Sequence, residues 1–266
     1  MIQKILLLIL TIVFTQPIFA QDYDFTIPLS DSGKRGTLSV ELKKGPITIK
    51  GTNRQDVYIK YKSMSDSNVK MTDAGKGGMK RISGAIGGLE AGEQDNKVYI
   101  ESESWNKGII LYVEVPRGFD LEVQSYNDGD IEIDNIAGKV AIETFNGKIT
   151  AKNIEGSVVA NTYNGPVVVT FTKITAGTPM NFVTFNGDVD ITLPADAKAN
   201  LKMKSEQGDI YTDFDMQVTK PSVTSEKKEG NKVKTFVSGW VTGAINGGGS
   251  EFAMQNYNGD IYIRRK

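Results

Sequence analysis

From Gly129 to Pro166 apolar and polar residues alternate in units of nine, each opened by glycine: Gly129, Gly138, Gly147, Gly156 and Gly165. Stacked, the units read GDIEIDNIA, GKVAIETFN, GKITAKNIE and GSVVANTYN. Columns three and five hold Ile131/Ile133, Val140/Ile142, Ile149/Ala151 and Val158/Ala160. Such alternation predicts strands with one buried face. Column seven (Asn135, Thr144, Asn153, Thr162) shares the inward parity. Column eight (Ile136, Phe145, Ile154, Tyr163) breaks it, so the chain turns there, and the glycine that follows permits a positive φ.

Alternate units match better than neighbours: Asn-Ile recurs with Asn-Ile, and Thr-aromatic with Thr-aromatic. The repeat is therefore two strands long. Asp130 and Lys148 fall one such repeat apart, as do Asp134 and Lys152, so stacking would set opposite charges side by side at about 4.8 Å. Antiparallel hairpins would not produce this match. The expected fold is all-β: a single-stranded, right-handed parallel β-solenoid, in which each coil buries its face against its neighbours.

Looser copies follow at Phe182–Pro194, Lys204–Phe214 and Met254–Lys266. Upstream, Leu42–Gly51, Gln55–Ser63, Asn96–Ser104 and Gly108–Ser125 alternate as strands without the strict nine. The expected organisation is a signal peptide over 1–20, an irregular β-rich part that starts the solenoid over 21–125, and regular repeats over 126–266 with an inserted hairpin near 216–249. Ser63 to Asn96 reads as a long loop, and its glycines lack the spacing of a phosphate-binding loop.

Composition narrows the chemistry. The formal net charge of -1 over 266 residues gives no basic face for nucleic acid. The chain has no Cys, so no disulfide staples it, and no His, which removes His-based general bases, Ser-His-Asp triads and the common zinc sites. Lys4, the apolar run Ile5 to Phe14, Pro17 and Ala20 have the layout of a secretory signal peptide cleaved before Gln21. Export is therefore expected, to the periplasm, the cell surface or the medium, with no membrane span after cleavage.

The stretch VPRGFDLEVQSYNDGDIEIDNIAGKVAIETFNGKI, followed by GAINGGGSEFAMQNYNGDIYIRRK, resembles the bacterial putative-adhesin family of unknown function. Val115–Gly118 matches its Val-Pro-x-Gly lead-in, and Asn246–Gly249 with Asn258–Ile261 matches its closing motifs. The resemblance runs from about Gly36 to the C-terminus. It implies an exported β-solenoid with an adhesive or envelope role and brings no catalytic residues.

Three residue columns are candidate sites. The aromatic column Tyr126, Phe145, Tyr163, Phe185 and Tyr257 would bind sugar rings or a protein partner if it faces outward. Tucked into the corner it would be core, the more usual use of stacked aromatics. Phe145, Tyr163 and Phe185 are the ligand-binding candidates. The Asn-Gly column (Asn146, Asn164, Asn186, Asn258) reads as turn structure. The aspartates Asp130, Asp188, Asp209 and Asp260 could hold Ca²⁺ or hydrolyse glycosides only if several met on adjacent coils. Only Asp188 and Asp209 meet that condition in the sequence, so solvated turns are the expectation. No catalytic residue, metal site or cofactor is expected. The leading function is a non-enzymatic binding or scaffold surface of the bacterial envelope, with a glycan or an envelope or surface protein as partner. The alternatives are a carbohydrate-active enzyme on a β-helix and a self-assembling structural element.

Overall fold

The structure, a computed structural model, describes residues 23–64, 88–219, 223–228, 232–237 and 239–266. The expected signal peptide lies outside the described residues, as does most of the loop expected over Ser63 to Asn96. The described residues hold no helix. Twenty strands form one mixed sheet, which divides into two ladders.

The first ladder runs in spatial order through β5 (Glu90–Gln94), β6 (Lys97–Ser102), β2 (Thr37–Lys44), β8 (Asp120–Asn127), β10 (Lys139–Asn146) and the second half of β11 (Ile149–Asn164). It continues through β13 (Met180–Asn186), β21 (Ser250–Asn256), β15 (Ala199–Ser205), β20 (Val241–Ile245) and β17 (Gln217–Thr219). The second ladder runs through β1 (Tyr23–Pro28), β4 (Asp56–Ser63), β7 (Ile109–Pro116), β3 (Ile47–Thr52), β9 (Ile131–Asp134) and the first half of β11. It ends with β12 (Val167–Ile174), β14 (Val189–Leu193), β22 (Ile261–Arg265) and β16 (Ile210–Thr212). β18 (Val223–Lys228) and β19 (Lys232–Val237) pair with each other, antiparallel.

The all-β class is as expected, and so is the repeat register. Ile131 pairs with Ile149, and Val140 with Val158, both in parallel. The sheet as a whole is mixed, because antiparallel strands close both ends of the first ladder (β5 at one, β20 and β17 at the other) and one end of the second (β4 and β1), whose other end is the parallel β16. Glu90–Gln94, expected within a loop, is one of these closing strands. They cover ladder edges that would otherwise offer free N–H and C=O groups.

The first and last parallel strands in chain order do not lie at ladder ends. β2 sits between β6 and β8, and β3 between β7 and β9. At the far side β21 sits between β13 and β15, and β22 between β14 and β16. The first and last parallel strands are thus clamped on both edges.

The two ladders bury their inward faces against each other. Phe171 on the second ladder meets Phe182 on the first edge-to-face, 6.5 Å apart at 79°. Val123, Ile142, Ala160, Phe182, Met254 and Met203 form one buried inward column along the first ladder.

The recurring glycine has two causes. Gly156 and Gly165 adopt the positive φ that the turn position suggests (153° and 137°), whereas Gly129, Gly138 and Gly147 do not. A Cβ on Gly147 would instead lie 2.3 Å from the carbonyl oxygen of Gly129, and one on Gly165 2.3 Å from that of Gly147. Stacked turns approach too closely to admit a side chain. Left-handed backbone falls one corner away, at Asn135 (φ 59°) and Asn153 (φ 53°), where a short polar side chain tolerates it.

The charge pairs inferred from the repeat do not form as ion pairs. Asp130 Oδ1 accepts the backbone N–H of Lys148 at 2.8 Å, and Asp134 Oδ1 accepts Asn153 Nδ2 at 2.8 Å. Lys152 turns to Glu132 at 3.8 Å. The register brought these residues together, but nearby hydrogen-bond donors satisfy the carboxylates first.

Candidate functional site

Each strand of the first ladder ends at the same corner, and three polar or aromatic columns stand there. The buried one is Thr144, Thr162 and Thr184, whose hydroxyls donate to the carbonyls of Gly129, Gly147 and Gly165 at 3.2, 3.1 and 2.8 Å. Asn256 takes this place on β21. Its Nδ2 reaches Gly187 O at 3.0 Å, and its buried Oδ1 finds no partner among the described residues.

The second column is the asparagine ladder. Nδ2 of Asn164 donates to Oδ1 of Asn146, Asn186 to Asn164 and Asn258 to Asn186, each at 2.7 Å. Asn127, which the sequence pattern did not single out, extends it by accepting from Asn146 at 3.1 Å. Every amide hydrogen-bonds along the stack, which supports the structural reading of these residues.

Between these columns stand the aromatics, and they face solvent. Phe145 is 50% exposed, Tyr163 43%, Phe185 37% and Tyr257 42%. The corner-core alternative fails because strand alternation continues through this corner, with Thr144 and Thr162 inward and Phe145 and Tyr163 outward. It is at Ile136 and Ile154, on the other corner, that the alternation breaks and the side chain is buried. The rings stack on one another. Phe145–Tyr163 centroids lie 5.0 Å apart at 7°, Tyr163–Phe185 4.8 Å at 1° and Phe185–Tyr257 4.7 Å at 3°. The inner rings therefore turn both faces to their neighbours and leave edges to solvent. Face-on stacking against a sugar is blocked along the row, so its exposed character is that of an apolar ridge about 14 Å long, three strand spacings. Each stacked pair adds about 0.5–1.5 kcal/mol beyond its burial. Tyr126 continues the column on β8, where it tilts against Trp105 at 5.6 Å and Lys43 Nζ lies 5.1 Å from its ring.

The ridge borders an open groove that Tyr163, Val183, Phe185, Gln255 and Tyr257 line with Glu206 at its end. Behind it the two outward columns next to the ridge carry no charge over three strands, and the first outward charge on those strands is Glu251, at the start of β21. β11 presents Val159, Asn161 and Tyr163, β13 presents Asn181, Val183 and Phe185, and β21 presents Ala253, Gln255 and Tyr257. Sequence reasoning missed this face because β21 reaches its place from the far end of the chain.

The aspartates meet more closely than the sequence indicated. β22 inserts Asp260 between Asp188 and Asp209, so three carboxylates occupy adjacent turns. Two of them are engaged structurally: Asp260 N–H donates to Asp188 Oδ1 at 2.8 Å, and Asp209 N–H to Asp260 Oδ1 at 2.9 Å, while the Asp209 carboxylate faces the Tyr211 hydroxyl at 3.5 Å. The Tyr262 hydroxyl donates to Asp260 Oδ2 at 2.9 Å, and this bond holds the Tyr262 pKa above its ordinary 10. Among the described residues no group of three His, Cys, Asp or Glu side chains is placed to hold a metal ion.

The paired ladders and their repeated corner coincide with a family-wide match, which covers residues 17–239. The chain belongs to the Toastrack DUF4097 family. The match ends short of the closing motifs at Asn246–Gly249 and Asn258–Ile261. The Toastrack chain also resembles the crystal structure of a putative cell adhesion protein from Clostridium sporogenes, with a TM-score of 0.50 and 11% identity over 93% of this chain and 100% of that one. A putative adhesin from Bacteroides fragilis aligns over 92% of this chain and 97% of that one at 11% identity, with a TM-score of 0.36. At such identity the first likeness concerns the fold alone. None of the curated proteins matches the Toastrack chain.

Proposed function

We propose that this Toastrack chain is an exported, non-enzymatic, adhesin-like protein that works as a binding surface of the bacterial envelope. In this reading the two ladders are the faces of a parallel β-solenoid, right-handed because parallel crossovers in one sheet almost always are. The contact surface is the outer face of the first ladder around its aromatic ridge, where the columns next to the ridge are uncharged over three strands. Residues 1–20 direct export, and the description of the C. sporogenes neighbour as a cell adhesion protein accords with an adhesive role.

The observation that carries the reading is the exposed row Phe145, Tyr163, Phe185 and Tyr257 on a rigid parallel stack. Large aromatic side chains left in water beside an uncharged face mark an interaction site. A binding reading is favoured over glycoside cleavage because two of the three carboxylates in the Asp188, Asp260 and Asp209 row, those of Asp188 and Asp260, are tied to backbone amides.

The test is retention of the Gln21–Lys266 protein on bacterial envelope preparations. The wild type should bind. Tyr163→Ser and Phe185→Ser should weaken binding at least tenfold while leaving the circular dichroism spectrum intact. Unchanged binding by both variants, or turnover of a polysaccharide by the purified protein, would overturn the reading.

A further inference from the structure

We infer that the partner of this face is a second copy of the same chain, packed face to face by a half-turn about an axis parallel to the strands. The inference rests on the preceding reading of the outer face as a contact surface and names what covers it.

Charge carries the argument. In the two outward columns beside the ridge, the charged groups on one side of the uncharged strands are carboxylates: Glu122 on β8, Glu143 on β10, and beyond them Glu101 and Glu41, the last ion-paired with Lys43. On the other side the same columns carry Lys202 and Lys204 on β15, Lys204 being ion-paired with Glu206. These columns are therefore acidic, then neutral, then basic along the stack, with Glu122 and Lys202 as charges that lack an ion-pair partner among the described residues. Two such faces are self-complementary in one orientation only. A half-turn about the stacking direction would set acid on acid and base on base. A half-turn about the strand direction sets acid on base and also lays ridge on ridge.

The register follows from the ladder. With the axis between β11 and β13, Tyr163 of each copy meets Phe185 of the other, and Phe145 meets Tyr257. Glu122 then falls opposite Lys202 in the same column. Ring edges of one ridge meet ring edges of the other, and Asn161 lies across from Val183. Such an interface is isologous: each contact occurs twice. Its size is adequate. Six strands at about 4.8 Å, over about 18 Å of strand, give roughly 500 Å² per copy and about 1,000 Å² in all, the scale at which specific interfaces begin. Flat sheet faces pack readily at about 10 Å.

The experiment is sedimentation equilibrium of the Gln21–Lys266 protein, with melting curves as a fold control. The wild type should dimerise, and more weakly as salt rises. Glu122→Lys and Lys202→Glu should each weaken the dimer at least tenfold, because each places like charges opposite each other twice. The double variant carrying both changes should recover most of the lost affinity. Val159→Arg, which puts a charge in the middle of the neutral strands, should leave a monomer of unchanged melting temperature. A wild-type chain that stays monomeric, or a dimer indifferent to the single reversals or not rescued by the double one, overturns the inference. If self-association fails while Tyr163→Ser still abolishes envelope binding, the inference falls and the reading of the face as a contact surface stands.

Discussion

Asn258 Nδ2 donates to Asn186 Oδ1 at 2.7 Å although 72 residues separate them. The bond marks where the C-terminal strands slide between the turn that ends at Leu193 and the one that begins at Ala199. The last strands of the chain are thus internal to the stack, and their loss should be felt on both sides. Phe252 is fully buried between Met180 and Leu201. Phe252→Ala should cost about 3–5 kcal/mol in chemical denaturation. Hydrogen exchange should accelerate in β13 and β15 together, whereas acceleration in β21 alone would contradict the clamped arrangement.

The glycine column should tolerate no side chain, for a packing reason. In Gly147→Ala the new methyl would lie 2.3 Å from Gly129 O, and the rigid backbone must shift. A loss of about 1–3 kcal/mol or more is expected. Gly118→Ala, where nothing lies within 4 Å, is the control and should change the melting temperature little.

Asn256 offers the opposite outcome. Its orphaned carbonyl costs about 1–3 kcal/mol of uncompensated desolvation. Thr occupies the equivalent place in Thr144, Thr162 and Thr184, with its hydroxyl on the neighbouring glycine carbonyl. Asn256→Thr should therefore raise the unfolding midpoint, read by urea titration. A fall of more than about 1 kcal/mol would mean that the lost volume outweighs the orphaned oxygen.

Inward residues should matter more than turn carboxylates. Ile142 is buried between Val123 and Ala160, and Ile142→Ala should cost about 2–5 kcal/mol. Asp188→Asn keeps the oxygen that accepts the Asp260 amide and removes one of three adjacent negative charges. It should stay within about 0.5 kcal/mol of wild type in thermal melts.

The edge at Ser30 should loosen in acid. Glu93 accepts the backbone N–H groups of Ser30 and Asn96 at 3.1 and 2.7 Å, and these bonds lower its pKa below the ordinary 4.5. A depressed carboxylate contributes stability that is present above 4.5 and lost as pH falls through the lower folded value. Amide exchange at Ser30 and Asn96, corrected for intrinsic rate, should speed up below that range. Glu93→Gln should abolish the pH dependence.

The sequence by itself determined the strands, their inward residues and the parallel register. All three follow from short-range alternation and from a repeat two strands long, which side-chain burial imposes locally. The want of Cys and His was legible in the same direct way. Tertiary structure decided what depends on which strands become neighbours. The insertion of β2 and β3 near one end and of β21 and β22 near the other breaks the link between chain order and stacking order. That insertion placed Tyr257 against Phe185 and Asp260 between Asp188 and Asp209, and it completed the neutral face with Ala253 and Gln255. Exposure of the ridge follows from strand alternation, which carries on through Thr144 and Thr162 to put Phe145 and Tyr163 outward. What only the tertiary structure decided is that the rings of four strands stack into one row, because that depends on which strands become neighbours.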